Sequence, residues 1–127
     1  MNKILIEVSV GELLDKISIL EIKREKIKET DKLKFITDEY LILKNQLDEN
    51  ITLNDQLKKL YEELKAINAK LWDIEDKKRT AEKNNDFGDS FIKLARDVYK
   101  FNDERAKVKL EINIILNSNI KEIKSHF

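Results

Sequence analysis

Apolar residues in this chain recur at steps of three and four over long stretches, the spacing that puts them on one face of an α-helix. From Val10 they run Leu13, Leu14, Ile17, Leu20 and Ile27, which predicts a first helix reaching about Lys28. Ser9-Val10-Gly11-Glu12 has the form of a capping box, the serine hydroxyl accepting a free first-turn N–H and the glutamate reaching back. Leu33, Ile36, Tyr40, Leu43 and Leu47 predict a second helix, capped by Thr30 or Asp31 and ending near Asn50. After a short connection over residues 51–53, Leu57, Leu60, Leu64, Ile67, Leu71, Ile74 and Ala81 carry a heptad-like seam to about Lys83, interrupted by Lys78. With a rise of about 1.5 Å per residue, this third helix is roughly 40–45 Å long.

Residues 84–89 (NNDFGD) are the clearest turn, because asparagine and glycine tolerate left-handed conformations and Asp89 or Ser90 can cap the next helix. The chain is expected to reverse here. A fourth helix then runs from about Ser90 to Leu116 on Phe91, Leu94, Val98, Phe101, Val108, Ile112 and Ile115, with Arg105 at a seam position and Asn117-Ser118-Asn119 ending it. Residues 3–8 (KILIEV) are β-branched and partly alternating, which predicts an extended lead-in or short strand. The fold class is all-α: a long antiparallel helical hairpin plus two shorter N-terminal helices, bundle- or coiled-coil-like, in one domain over residues 1–127. Helices of this length expose more seam than two short partners can cover, so a homodimer or other oligomer is expected.

Composition sharpens this picture. Charged residues make up 39% of the 127, proline is absent and glycine occurs only at Gly11 and Gly88, which leaves strong helix formers. The 25 basic and 25 acidic residues are interspersed, so nothing in the charge favours nucleic acid. Without cysteine there is no disulfide or thiolate site, and no apolar run approaches the roughly 18 residues that span a bilayer. A cytoplasmic address is the expectation, with no membrane and no nucleic-acid partner. Attachment through an amphipathic helix is disfavoured because the polar faces mix both signs. Among the basic residues only Arg24, Arg79, Arg96 and Arg105 are arginine, and the rest are lysine.

Beside the seam of the third helix lies a second stripe, Asn68, Trp72, Glu75 and Arg79, which holds the sole tryptophan. The fourth helix has a matching stripe, Ala95, Tyr99, Asn102, Ala106, Lys109 and Asn113, with Arg96 and Asp103 one step around. With the turn centred near Asp86 and Phe87, antiparallel pairing puts Glu75 near Tyr99, Trp72 near Asn102, and Asn68 near Arg105 and Ala106. Three of the four arginines flank this cluster, and arginine gives the planar, bidentate recognition of carboxylate or phosphate that lysine lacks. The opposing reading is that Glu75, Arg79, Arg96 and Asp103 are ion pairs that tie the hairpin and set its register. Carboxylates three apart, Glu12 with Asp15 and Asp73 with Asp76, have a spacing that suits Mg²⁺, but so acidic a chain contains such pairs by chance. His126 is assigned no role, and no phosphate loop, nucleophile elbow or zinc spacing is present.

Residues 9–23 (SVGELLDKISILEIK), residues 71–79 (LWDIEDKKR) followed by Glu82, and residues 91–113 (FIKLARDVYKFNDERAKVKLEIN) resemble a family of small helical bacterial and phage proteins of unknown function. Genes of that family often lie near those for surface polysaccharide or nucleotide-sugar metabolism. Residues 121–127 (KEIKSHF) are similar to the family's ending but depart from it at His126 and Phe127. The resemblance emphasises Asp15, Lys16, Glu21 and Lys23 on the first helix, Trp72, Glu75, Asp76 and Arg79 on the third, and Arg96, Tyr99, Asn102, Asp103, Arg105, Lys109 and Asn113 on the fourth.

Two functions from different classes are compatible with these residues. The first is a dimeric helical module that binds a protein partner or a small anionic ligand through Asn68, Trp72, Glu75, Arg79, Arg96, Tyr99, Asn102, Asp103, Arg105 and Lys109. The runner-up is an all-α enzyme acting on a nucleotide or phosphorylated sugar, with Mg²⁺ as its candidate ion. The first reading assigns no cofactor and no metal.

Overall fold

The structure, a computed structural model, describes residues 2–118 and 120–124. It contains four helices, α1 (Val10–Lys26), α2 (Thr30–Asn50), α3 (Asp55–Lys83) and α4 (Asp89–Ile115). The fold is all-α, as the periodicity predicts, with α3 and α4 forming the long hairpin. The expectations placed on Asn119, His126 and Phe127 lie outside the described residues.

Each boundary has a local cause. Ser9 caps α1 by accepting the Glu12 N–H at 3.0 Å, which is the serine half of the capping box. The other half does not form, because the Glu12 carboxylate is held instead by Lys109 on α4, at 2.5 Å. Asn54 caps α3 in the same way, accepting the Leu57 N–H at 2.9 Å. Two expected caps are absent. α2 starts from Glu29, not Thr30 or Asp31, and α4 from Gly88, not Asp89 or Ser90, and neither start has a side-chain cap bond. In the turn between α3 and α4 the left-handed position is taken by Asn85, at φ 53°, whereas Gly88 has φ −79°. Asn117, at φ 47°, ends α4 by the same device.

Residues 2–9 form neither helix nor strand. A lone extended segment needs a neighbouring strand for its N–H and C=O groups, and none exists among the described residues. The expected strand is therefore not formed.

α1 is central: its backbone runs close to those of α2, α3 and α4, while the backbone of α2 comes close to α1 alone. The core brings together Leu14 and Ile17 of α1, Leu47 of α2, Leu57, Leu60 and Leu64 of α3, and Val108 and Ile112 of α4. All of these lie toward the end of the hairpin away from its turn. α1 has 17 residues and α3 has 29, so at about 1.5 Å per residue α1 is roughly 18 Å the shorter. The second half of α1 is where the hairpin begins to lose its cover. Polar contacts add to the seams: Tyr61 donates to Glu21 at 2.6 Å, Lys65 pairs with Glu21 and Glu25, and the Arg24 guanidinium lies over the Tyr40 ring. Burial and the Glu21 carboxylate push the Tyr61 hydroxyl far above its ordinary range, which keeps it a donor.

Candidate functional site

The polar centre of the molecule is on α1. Gly11, Asp15, Ser18 and Ile22 follow steps of four and three, so they share one helix face, and all four are buried. This face meets both arms of the hairpin. Asp15 is 1% exposed. Its Oδ1 accepts from Arg105 Nε at 3.0 Å and from Asn68 Nδ2 at 2.8 Å, and its Oδ2 accepts from Arg105 Nη2 with Lys109 Nζ at 3.4 Å. Arg105 is therefore held bidentate, the geometry that suits guanidinium and carboxylate. Asn68 also donates to Ser18 Oγ at 2.8 Å, and Ser18 donates to the Asp15 carbonyl at 2.7 Å.

Burial pushes the Asp15 carboxyl up, but the bonds from Arg105 and Asn68 and the charges of Arg105 and Lys109 outweigh it and hold the group below the ordinary aspartate value. The bond to Asp15, against the cost of burial, raises Arg105 further. Neither Glu75 nor Asp103 forms its salt bridge across the hairpin: Glu75 pairs with Lys78 and Asp103 with Lys124. The two arms pack directly on each other, with Lys70 over the Phe101 ring, and Asp15 adds a buried polar link by bonding Asn68 on one and Arg105 on the other.

The same network continues to the start of α1. Gly11 N–H donates to Asn113 Oδ1 at 2.6 Å, and Asn113 Nδ2 donates to Glu122 at 3.2 Å. Ser9 Oγ donates to the Glu122 carboxylate at 2.7–2.8 Å, and Val10 N–H donates to Ser118 Oγ at 3.3 Å. Ser9 and Asn113 are both fully buried. Residues 120–124 are thus strapped back along α4, with a second tie where Lys124 pairs with Asp103 at 2.9 Å.

Two clefts lie on either side of a ridge formed by Val98, Asn102 and Arg105, which line both. The first, about 420 Å³, lies between the second half of α1 and the hairpin. Ile19, Ile22, Leu71 and Trp72 give it an apolar floor, and Asn68, Glu75, Asp76 and Arg79 supply its polar groups. The second, about 390 Å³, lies between α4 and the strap and includes Tyr99, Ala106, Lys109, Glu122 and Lys124.

The expected cluster is therefore assembled in part. Trp72 and Asn102 share a cleft, and Asn68 and Arg105 meet on Asp15, as the register predicts. Glu75 and Tyr99 are on opposite sides of the ridge, Tyr99 being 63% exposed, and Arg96 lines neither cleft. Asp103 pairs with Lys124 and not across the hairpin. The reading of Glu75, Arg79, Arg96 and Asp103 as a clasp between α3 and α4 is corrected: Glu75 pairs at 3.6 Å with Lys78 of its own helix, and Arg79 and Arg96 form no ion pair among the described residues. Glu75→Gln is accordingly expected to change stability by less than about 0.5 kcal/mol in urea unfolding, since an exposed pair within one helix is worth about that much or less.

Of the spaced carboxylate pairs, Glu12 and Asp15 are spent on Lys109 and Arg105, while Asp73 and Asp76 line different grooves. Among the described residues no group of three His, Cys, Asp or Glu side chains could hold a metal, and no helix is long and apolar enough to cross a membrane. The stripes beside the seams omitted Ser18 and Glu122 altogether, and Glu12 and Asp15 entered only as a spaced carboxylate pair and, for Asp15, through the family resemblance, not as the partners of Lys109 and Arg105. The available signal was polarity in the wrong place: Asp15 and Ser18 flank Ile17 on a face that must be buried.

The chain belongs to the family of unknown function DUF6165, whose profile matches residues 4–127. No curated protein and no solved structure matches it.

Proposed function

We propose that this protein is a binding module, a single helical domain whose first cleft, between α1 and the α3–α4 hairpin, takes a small anionic ligand. The observation that carries the reading is the cleft itself: about 420 Å³, an apolar floor with Trp72, and a few polar groups on its walls. Small-molecule sites typically have about 300–1,000 Å³ and this mixture of linings, whereas a protein partner more often meets a flatter surface. Arg79 supports an anionic group because no carboxylate among the described residues takes its guanidinium. Binding is favoured over catalysis because Asp15, the perturbed carboxylate beneath the ridge, already accepts Arg105 on both oxygens and Asn68 on one. A general base needs a free lone pair facing substrate.

The test is thermal melting of the intact chain with a panel of carboxylates, phosphates, sugar phosphates and nucleotides, with Mg²⁺ and without. A ligand at a hundredfold excess over Kd stabilises by about 2.7 kcal/mol. The shift should be lost in Trp72→Ala, and absence of any shift across the panel would sink the reading.

We further propose that two copies pair through the outer face of α2. α2 lies at the edge of the bundle, its backbone close to α1 alone, and leaves Phe35, Leu41 and Ile42 exposed at 75%, 58% and 63%. Sedimentation at micromolar concentration is expected to give a dimer that Phe35→Glu converts to a monomer, and a wild-type monomer would refute it.

A further inference from the structure

The two clefts differ in a way that specifies more than a generic anion. The first is apolar and electrically balanced, with Glu75 and Asp76 set against Arg79 and Arg105. The second is lined by three cations, Arg105, Lys109 and Lys124, each with a carboxylate partner in Asp15, Glu12 or Asp103, and by the carboxylate of Glu122, which is itself engaged by Ser9 and Asn113. Between them stands the ridge of Asn102 and Arg105, common to both.

Donor counts show what the second cleft can still give. Arg105 has five N–H donors, of which Nε and one on Nη2 go to Asp15 and one on Nη1 goes to Asn102 at 3.3 Å. Lys109 has three, directed among Glu12 and Asp15, and Lys124 has three with one on Asp103. Spare cationic donors thus line one side of the ridge, while the Trp72 indole, the carbonyl oxygen of Asn68 and the amide N–H groups of Asn102 line the other, the Asn68 N–H groups being taken by Asp15 and Ser18.

We infer that the clefts are two halves of one site for a nucleoside diphosphate, its base against Trp72 in the first cleft and its diphosphate across the Arg105 ridge with Lys109 and Lys124. This rests on the reading of the first cleft as a ligand site. Indole faces stack on planar bases, carboxamides suit the donors and acceptors of a base edge, and guanidinium and ammonium groups suit phosphate oxygens. The strap then has a purpose: Glu122, seated on two buried side chains, holds residues 120–124 where Lys124 can reach the phosphates.

The intact chain is titrated separately with ADP, adenosine and inorganic pyrophosphate, reading Trp72 fluorescence and heat. ADP is expected to bind at least about tenfold more tightly than adenosine, and both should change Trp72 emission. Lys124→Gln, which removes only a partly exposed pair with Asp103, should bring ADP down to about the affinity of adenosine and leave adenosine unchanged. Raising KCl from about 50 to about 500 mM should act in the same direction. Equal affinity for adenosine and ADP would overturn the two-cleft inference and leave the first cleft as the site. Pyrophosphate binding as tightly as ADP, with Trp72 silent, would also overturn it. Failure of all three probes overturns it too, whereas the first-cleft reading falls only if the wider anion panel fails.

Discussion

Asp15→Ala is expected to cost about 3–5 kcal/mol of folding free energy, enough to remove a large part of the stability of a domain this size. The carboxylate is 1% exposed and accepts from Arg105 through two nitrogens and from Asn68, with Lys109 beside it. Its removal leaves the half-buried Arg105 guanidinium with only Asn102 as acceptor, and the buried Asn68 amide with only Ser18, at the meeting point of α1, α3 and α4. That desolvation is far larger than the net worth of the pair, which is small because burying both ions was itself expensive. The urea midpoint of the variant should fall with little change in m-value. Asp15→Asn keeps an acceptor oxygen and should lose less. The effect has a definite pH dependence. Asp15 titrates lower in the folded chain than its ordinary 3.8, so its contribution is complete above that value and is lost as the pH falls through the lower folded one. The gap between wild type and Asp15→Asn should therefore narrow from pH 6 toward the acid limit. A gap that stays constant with pH, or a loss below about 1 kcal/mol for Asp15→Ala, would show that this carboxylate does not hold the helices together.

The same residue shows what can be read from a one-dimensional pattern. Helix positions were legible because they depend on neighbours three and four apart: Leu57, Leu60 and Leu64 predict a buried stripe of α3, and that stripe is core. The chain reversal at Asn85 was legible because a left-handed residue is a local demand. The Trp72 and Asn102 register followed from counting outward from that turn. Asp15 was different. Its partners Asn68 and Arg105 are 53 and 90 residues away, with Lys109 a turn further along α4, and its sequence neighbours contain no sign of them. The expected clasp of α3 on α4 failed for a related reason, since spacing shows that charges share a margin but not which partners they take: Glu75 pairs within its own helix and Asp103 with Lys124 of the strap. Glu12 illustrates the competition: locally it completes a capping box, yet Lys109 offers a full charge where the Ser9 N–H offers a dipole.

Gly11→Ala tests the contact on which the whole arrangement depends, and its sign is decided by two opposed magnitudes. In a helix, alanine is favoured over glycine by about 1 kcal/mol, so propensity alone predicts stabilisation. Packing predicts the reverse. A Cβ on Gly11 would lie 2.6 Å from the Lys109 carbonyl oxygen and 2.9 Å from Asn113 Oδ1. The first of these atoms is α4 backbone, which cannot swing aside as a side-chain end can. α1 and α4 would have to separate, stretching the 2.6 Å bond from Gly11 N–H to Asn113 and the 2.5 Å Lys109–Glu12 contact. Overpacking of this kind costs about 1–3 kcal/mol and sometimes more, and the strained bonds add to it, so a net loss of about 2 kcal/mol is expected. Gly88→Ala is the matched control. There a Cβ meets nothing closer than Asp86 Oδ1 at 3.6 Å, and φ is −79°. Gly88 is the N-cap of α4, where alanine is disfavoured relative to glycine, and that loss offsets the reduced freedom of the unfolded chain, so a change of no more than about 0.5 kcal/mol is expected. Denaturant unfolding of the two variants side by side settles the matter: a loss of about 2 kcal/mol at residue 11 with little change at residue 88 means that α1 and α4 touch backbone to backbone, whereas stabilisation by Gly11→Ala would mean that α1 does not sit against Lys109 and Asn113.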